Sequence, residues 1–107
     1  MSQEEKYFHI FSTSKKEGVF DAYYAVDNLG WSLRFVEKKE DGSIYHANKD
    51  VEVGKTFLPE ASLYPIKETE GYETKEIDKP SFDTMWDKAI EFAKKNNLKQ
   101  VSTGSIR

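Results

Sequence analysis

The stretch Asp21-Ala22-Tyr23-Tyr24-Ala25-Val26-Asp27-Asn28-Leu29-Gly30-Trp31-Ser32-Leu33-Arg34-Phe35-Val36 decides the fold of this chain. Two β-prone runs flank a polar tetrad that ends in glycine, the residue that supplies the left-handed conformation short hairpin loops need after a type I turn. Taken as a four-residue loop, Asp27–Gly30 sets Val26 against Trp31, Tyr24 against Leu33 and Ala22 against Phe35. All six then share one face, because strand side chains alternate with a period of two. That face is expected to be the core. The other face receives Tyr23 against Arg34 and Ala25 against Ser32, with Asp21 and Val36 nearby. A three-residue loop would oppose Asp21 and Glu37 and split the apolar set, so it is disfavoured.

The same punctuation recurs outward from this hairpin. Gly18, Gly30, Gly42 and Gly54 follow one another at twelve-residue intervals, each closing a polar segment. Turn signals at this spacing point to an all-β unit of short strands. For Glu40-Asp41-Gly42, a three-residue loop places Tyr45 and Ala47 inward and leaves Ile44 and His46 outward, whereas a two-residue Asp41-Gly42 turn reverses them. Tyr7-Phe8-His9-Ile10-Phe11 is apolar on both faces, as a central or doubly covered strand would be, and its register decides whether His9 is buried. Lys55-Thr56-Phe57-Leu58 resembles a strand start stopped by Pro59. Leu63–Ile66 and Tyr72–Ile77 suggest a hairpin across Glu70-Gly71, with Pro65 demoting its first member to an edge and the acidic run around Glu68 forming a solvated tip.

A helix follows. Pro80 and Ser81 mark its start, with Ser81 as N-cap. At 100° per residue, Phe82, Met85, Trp86, Ala89, Ile90, Phe92 and Ala93 share one side, and Asp83, Asp87, Lys88, Glu91, Lys94 and Lys95 the other. The acids lie toward the positive end of the helix dipole and the lysines toward its negative end. Asn97 suits the left-handed position past the helix, with Leu98 folding back.

Composition bounds the function. The 107 residues allow one domain. Aromatic residues make up 14%, so Phe, Tyr and Trp carry much of the core. The absence of cysteine removes disulfides, thiolate catalysis and cysteine-based zinc sites. A polar, acidic start without an apolar run long enough for a bilayer implies a cytoplasmic protein and no membrane partner. At a net charge of −3, with Arg34 and Arg107 its sole arginines, the chain lacks the basic stripe of a duplex nucleic-acid binder. Its Lys, Glu and Asn usage suits a low-GC bacterium or its phage.

Candidate chemical motifs weaken when their context is read. Gly54-Lys55-Thr56 matches the tail of a phosphate-binding loop, but Lys49 stands where the motif needs its first glycine and Pro59 blocks the following helix. His9 and His46 lack the local spacing of a zinc site. The paired carboxylates Glu4-Glu5, Glu40-Asp41, Glu68 with Glu70, and Glu73 with Glu76 fall in turns or tails where solvent levels their pKa values. Neither serine cluster, Ser12–Ser14 or Ser102–Ser105, forms a nucleophile elbow.

The sequence therefore implies one α+β domain over 1–107. It comprises an antiparallel β-meander of about five to seven short strands within 6–77, with room to curl into a half-barrel. One amphipathic helix at about 81–97 packs on it, followed by a short strand or tail over 98–107. The expected role is a non-enzymatic adaptor, inhibitor or regulatory domain, without a cofactor. It would bind another protein, or itself as a homodimer through a sheet face or edge. Tyr23, Arg34, Val36 and His46 form the expected contact surface, a mix of side chains that interaction hot spots favour. The alternative is a small-ligand binder with an aromatic cavity under the helix, in which Tyr24, Tyr45 and Trp86 line the pocket.

Overall fold

The computed structural model describes residues 5–13, 20–66 and 70–102, with 101 and 102 described at the level of strand pairing. The expected first turn at Lys15–Gly18, residues 67–69 with Glu68 of the expected acidic tip, and the tail 103–107 lie outside them. The elements are β1 (Lys6–Ser12), β2 (Asp21–Val26), β3 (Ser32–Lys38), β4 (Ile44–Asn48), β5 (Val51–Val53), β6 (Tyr72–Ile77), α1 (Lys79–Lys95) and β7 (Gln100–Ser102). They form one open antiparallel sheet of order β6-β1-β2-β3-β4-β5-β7, packed against the single C-terminal helix. Strands β1 to β5 run as a meander in chain order. Two crossings then complete the sheet: the segment after β5 carries the chain back to the far edge, and α1 returns it to the near edge.

The β2–β3 and β3–β4 turns share one solution. At the first, the Asp27 N–H donates to the Trp31 carbonyl and the Gly30 N–H to the Asp27 carbonyl, at 3.0 Å each, so the loop has three residues. Asp27 Oδ1 braces it by accepting from the backbone N–H groups of Leu29 and Trp31. Lys39 and Ser43 close a matching loop over Glu40-Asp41-Gly42, in the three-residue register. Gly30 and Gly42 take φ of 88° and 93°, the left-handed conformation this turn requires.

The expected four-residue loop at Asp27–Gly30 is corrected accordingly, and so is its register. Val26 opposes Ser32, the register shifts between Ala25 and Val26, and beyond it Ala25 opposes Arg34, Tyr24 opposes Phe35, Tyr23 opposes Val36 and Ala22 opposes Glu37. Leu33 is the extra residue. The bulge restores the parity that a plain three-residue loop would have broken. Ala22, Tyr24 and Phe35 therefore do share a face, and Tyr23, Arg34 and Val36 share the other. Trp31 is left 46% exposed at the turn.

The identity of the helix-bearing face is the larger correction. Helix α1 packs on Tyr7, Ala25 and Val36, using Phe82 and Ala89, with Tyr23, Ile44, Ile77, Met85 and Trp86 around them. The Ala22, Phe35 and Ala47 face is covered instead by Leu58, with Phe20 and Tyr24 alongside. The segment that carries Leu58 runs across this second face. Its Tyr64 ring meets Phe8 edge-on at 6.0 Å, and its Leu63 N–H donates to the Gly30 carbonyl. Residues 55–58 are not a strand, Leu63–Ile66 makes no hairpin with β6, and β6 pairs with β1. Strand β1 is paired on both sides and buried on both faces at Tyr7 and Phe8, while His9–Ser12 are half-buried.

The helix is capped three residues before the expected position. Asp78 is the N-cap, accepting the Ser81 N–H at 2.9 Å, and Pro80 sits in the first turn where its missing N–H is no loss. Asp83 falls beyond that turn. At the other end the Leu98 N–H donates to the Ala93 carbonyl and the Asn97 N–H to the Lys94 carbonyl, with Asn97 at φ 53°, a Schellman closure. Among the described residues no helix is long and apolar enough to cross a membrane.

Candidate functional site

The sequence-expected surface exists as a grouping but not as a surface. Tyr23, Arg34, Val36 and His46 do gather on one face, with Val36 paired to both Tyr23 and His46. That face carries the helix. Val36 is fully buried, and His46 is 7% exposed with its ring edge-on to Trp86 at 4.9 Å. The Arg34 guanidinium lies over the Phe82 and Trp86 rings, not over Tyr23, and reaches Asp83 at 3.5 Å. The physical reason is that arginine buries its stem and stacks its planar head on aromatic rings, so a charged residue need not mark solvent. Burial lowers the pKa of His46, whose buried Nδ1 has no hydrogen-bond partner among the described residues.

Tyr23 belongs to a second group on the same face. Phe82 meets Tyr7 on β1, Trp86 meets His46 on β4 and Phe92 meets Tyr45 on β4, so α1 crosses the sheet from β1 toward β4. Farther along β1, His9 stacks flat on Tyr23 at 4.2 Å, with Phe11 at 4.7 Å. Nε2 of His9 lies 2.6 Å from Asp21 Oδ1, and the Lys75 ammonium stands over Phe11. Burial, and then the Asp21 charge, raise the Tyr23 pKa. This group holds an imidazole in one orientation, and the stacking and hydrogen bond also serve as a cross-strand brace.

The opposite face carries a concavity. Phe20, Tyr24, Phe35, Glu37, Thr56, Phe57 and Pro59 line an open, mainly apolar cleft of about 260 Å³. Strands β2 and β3 supply its floor, where Tyr24 and Phe35 meet edge-on at 5.0 Å. The crossing segment supplies its lip. Leu58 turns down into the core, which leaves Phe57 turned out at 63% exposure. Glu37 is the cleft's acid: Oε1 accepts from Thr56 Oγ1 and Oε2 from the Lys39 ammonium, each at 3.0 Å. Burial, and then the Glu37 charge, push the Tyr24 phenol up to about 12, so it stays protonated.

Of the three residues expected to line a pocket under the helix, Tyr24 lines this cleft, which lies on the face away from the helix. Tyr45 and Trp86 pack against Phe92 and Phe82 instead. Phe20, Glu37, Thr56 and Phe57 were not singled out as binding residues. Glycine 54 and Lys55 lead to Thr56 without a following helix, and the Thr56 hydroxyl is spent on Glu37. Among the described residues no three His, Asp or Glu side chains lie close enough to hold a metal ion.

No curated protein and no solved structure matches the chain. The family model for DUF6881, a domain of unknown function, matches residues 7–91, from β1 into the later turns of α1, and the chain belongs to that family.

Proposed function

We propose that this protein is a non-enzymatic binding domain that grips another protein by receiving one of its side chains in the cleft between β2, β3 and the crossing segment. The observation that carries the reading is Phe57, a large apolar ring 63% exposed at the lip of an apolar concavity whose floor is aromatic. Burying the exposed part of such a ring stabilises a complex by about 2–3 kcal/mol, the scale of an interaction hot spot. Volume favours a side chain over a cofactor or metabolite. At about 260 Å³ and open to one side, the cleft falls below the roughly 300–1,000 Å³ typical of small-molecule pockets.

The test is selection of a random peptide library on the immobilised protein, followed by amide-shift mapping of the enriched peptides. Peptides that perturb Tyr24, Thr56 and Phe57, and that lose binding in Phe57→Ala, support the reading. Peptides that map to the helix or to the His9 group overturn it, as does self-association that Phe57→Ala leaves unchanged.

A further inference from the structure

Among the described residues that line the cleft, Glu37 is the one with a formal charge at neutral pH, and its side chain is 18% exposed. A carboxylate offers about four acceptor positions, and Thr56 and Lys39 occupy one on each oxygen. Around it stand the rings of Phe20, Tyr24, Phe35 and Phe57. Aromatic rings beside a carboxylate attract a cation through their quadrupoles and the carboxylate through its charge, while the rings also take the hydrocarbon stem of a basic side chain.

We infer that the cleft takes a lysine side chain of the partner protein, its stem against the rings and its ammonium directed to Glu37. This rests on the reading of the cleft as the partner contact and adds the chemistry of what enters. Lysine fits better than arginine for a geometric reason. A guanidinium binds best when both carboxylate oxygens are free in one plane, and here each oxygen already accepts from a different donor. A compact ammonium needs one open acceptor position. The molecule shows the same pairing internally, since the Lys39 ammonium sits 3.0 Å from Oε2 with its side chain 38% exposed. Lys39 is then a tethered competitor that an incoming lysine displaces or joins.

The experiment titrates the isotope-labelled full chain with Nα-acetyl-lysine methylamide, and with its norleucine and arginine counterparts, following backbone amides by NMR. The lysine probe should shift Thr56 and Phe57 and bind about fivefold more tightly than norleucine, the margin that a partly exposed cation–π contact allows. Glu37→Gln keeps the shape and one acceptor oxygen without the charge, and should erase that margin; Lys39→Gln should widen it. Norleucine binding as tightly as lysine at the same amides would overturn the inference while leaving the cleft as an apolar partner contact. Arginine binding more tightly than lysine, or Glu37→Gln leaving the margin intact, would overturn it too. If no probe shifts these amides and the selected peptides also map elsewhere, both readings fall.

Discussion

The Arg34 guanidinium lies 4.7 Å from the centre of the Phe82 ring, inside the seam between sheet and helix. It is 5.3 Å from the Trp86 ring and 3.5 Å from Asp83, so one side chain of β3 engages two aromatic residues and an acid of α1. Asp83 is itself held by Lys79 at 2.7 Å, and together these charges keep its carboxyl below the usual range. Phe82 is fully buried beneath this group, against Tyr7 at 5.5 Å. The helix is thus seated on a cation as well as on apolar area.

Arg34→Ala should therefore destabilise the domain by about 2 kcal/mol, through the lost stem packing and the partly desolvated cation–π contacts. Arg34→Met, which keeps a stem without the charge, should recover about half of that. Urea denaturation of both variants checks the order. An Arg34→Ala protein as stable as wild type would return Arg34 to the solvent-facing role its sequence suggests.

Replacing Phe82 with Ala should cost about 3–5 kcal/mol, as removal of a fully buried aromatic ring does. Trp86 is half-buried, so Trp86→Ala should cost less, about 2–3 kcal/mol. The measurement is the urea midpoint at unchanged slope, and a larger loss at Trp86 than at Phe82 would misplace the seat of the helix.

His46 gives the pH dependence. Burial lowers its pKa in the folded state, while the unfolded chain keeps the ordinary value of about 6.5. Between those two values the unfolded state binds more protons, so the folded state loses ground. Stability should be full above about pH 6.5, decline as pH falls from there to the lowered folded-state pKa, and be insensitive to His46 below it. His46→Phe removes the titrating group and fills the site beside Trp86. Urea midpoints at several pH values should show a shallower decline in this variant, and parallel curves would remove His46 as the cause.

Much of this fold was legible, and the illegible part has a physical source. The period-two parity of β2 and β3 separated Ala22, Tyr24 and Phe35 from Tyr23, Arg34 and Val36, and the structure keeps that division. It could not say which set meets the helix, because both faces are covered and both sets are apolar enough to be core. Arg34 misled by its charge. The end of α1 was readable because Asn97-Leu98 is a local signal. The cleft was not, because Phe57 lies in a segment without periodicity, and its neighbours on β2 and β3 are set by a crossing that leaves no local trace.

Gly30 and Gly42 offer a matched pair, since both close three-residue loops at nearly the same φ. A side chain at either position is strained by the left-handed backbone, by about 1 kcal/mol. They differ in what a Cβ would meet. At Gly42 there is open space. At Gly30 a Cβ would stand 2.8 Å from the Tyr64 backbone nitrogen and 2.6 Å from Ser62 Oγ, closer than packed atoms approach. The crossing segment is docked at this glycine, through Leu63 N–H to the Gly30 carbonyl and the Ser62 hydroxyl to the Leu29 carbonyl. Gly42→Ala should thus cost about 1 kcal/mol, and Gly30→Ala about 2–3 kcal/mol, because the second also lifts the segment from the sheet. Lifting it should also loosen the Tyr64 contact with Phe8. Amide exchange at Leu63 and Tyr64 should accelerate in Gly30→Ala and stay unchanged in Gly42→Ala. Equal costs in the two variants, with equal exchange, would show that the segment is held by Leu58, Thr56 and Tyr64 without the turn, and that the turn glycine serves the hairpin only.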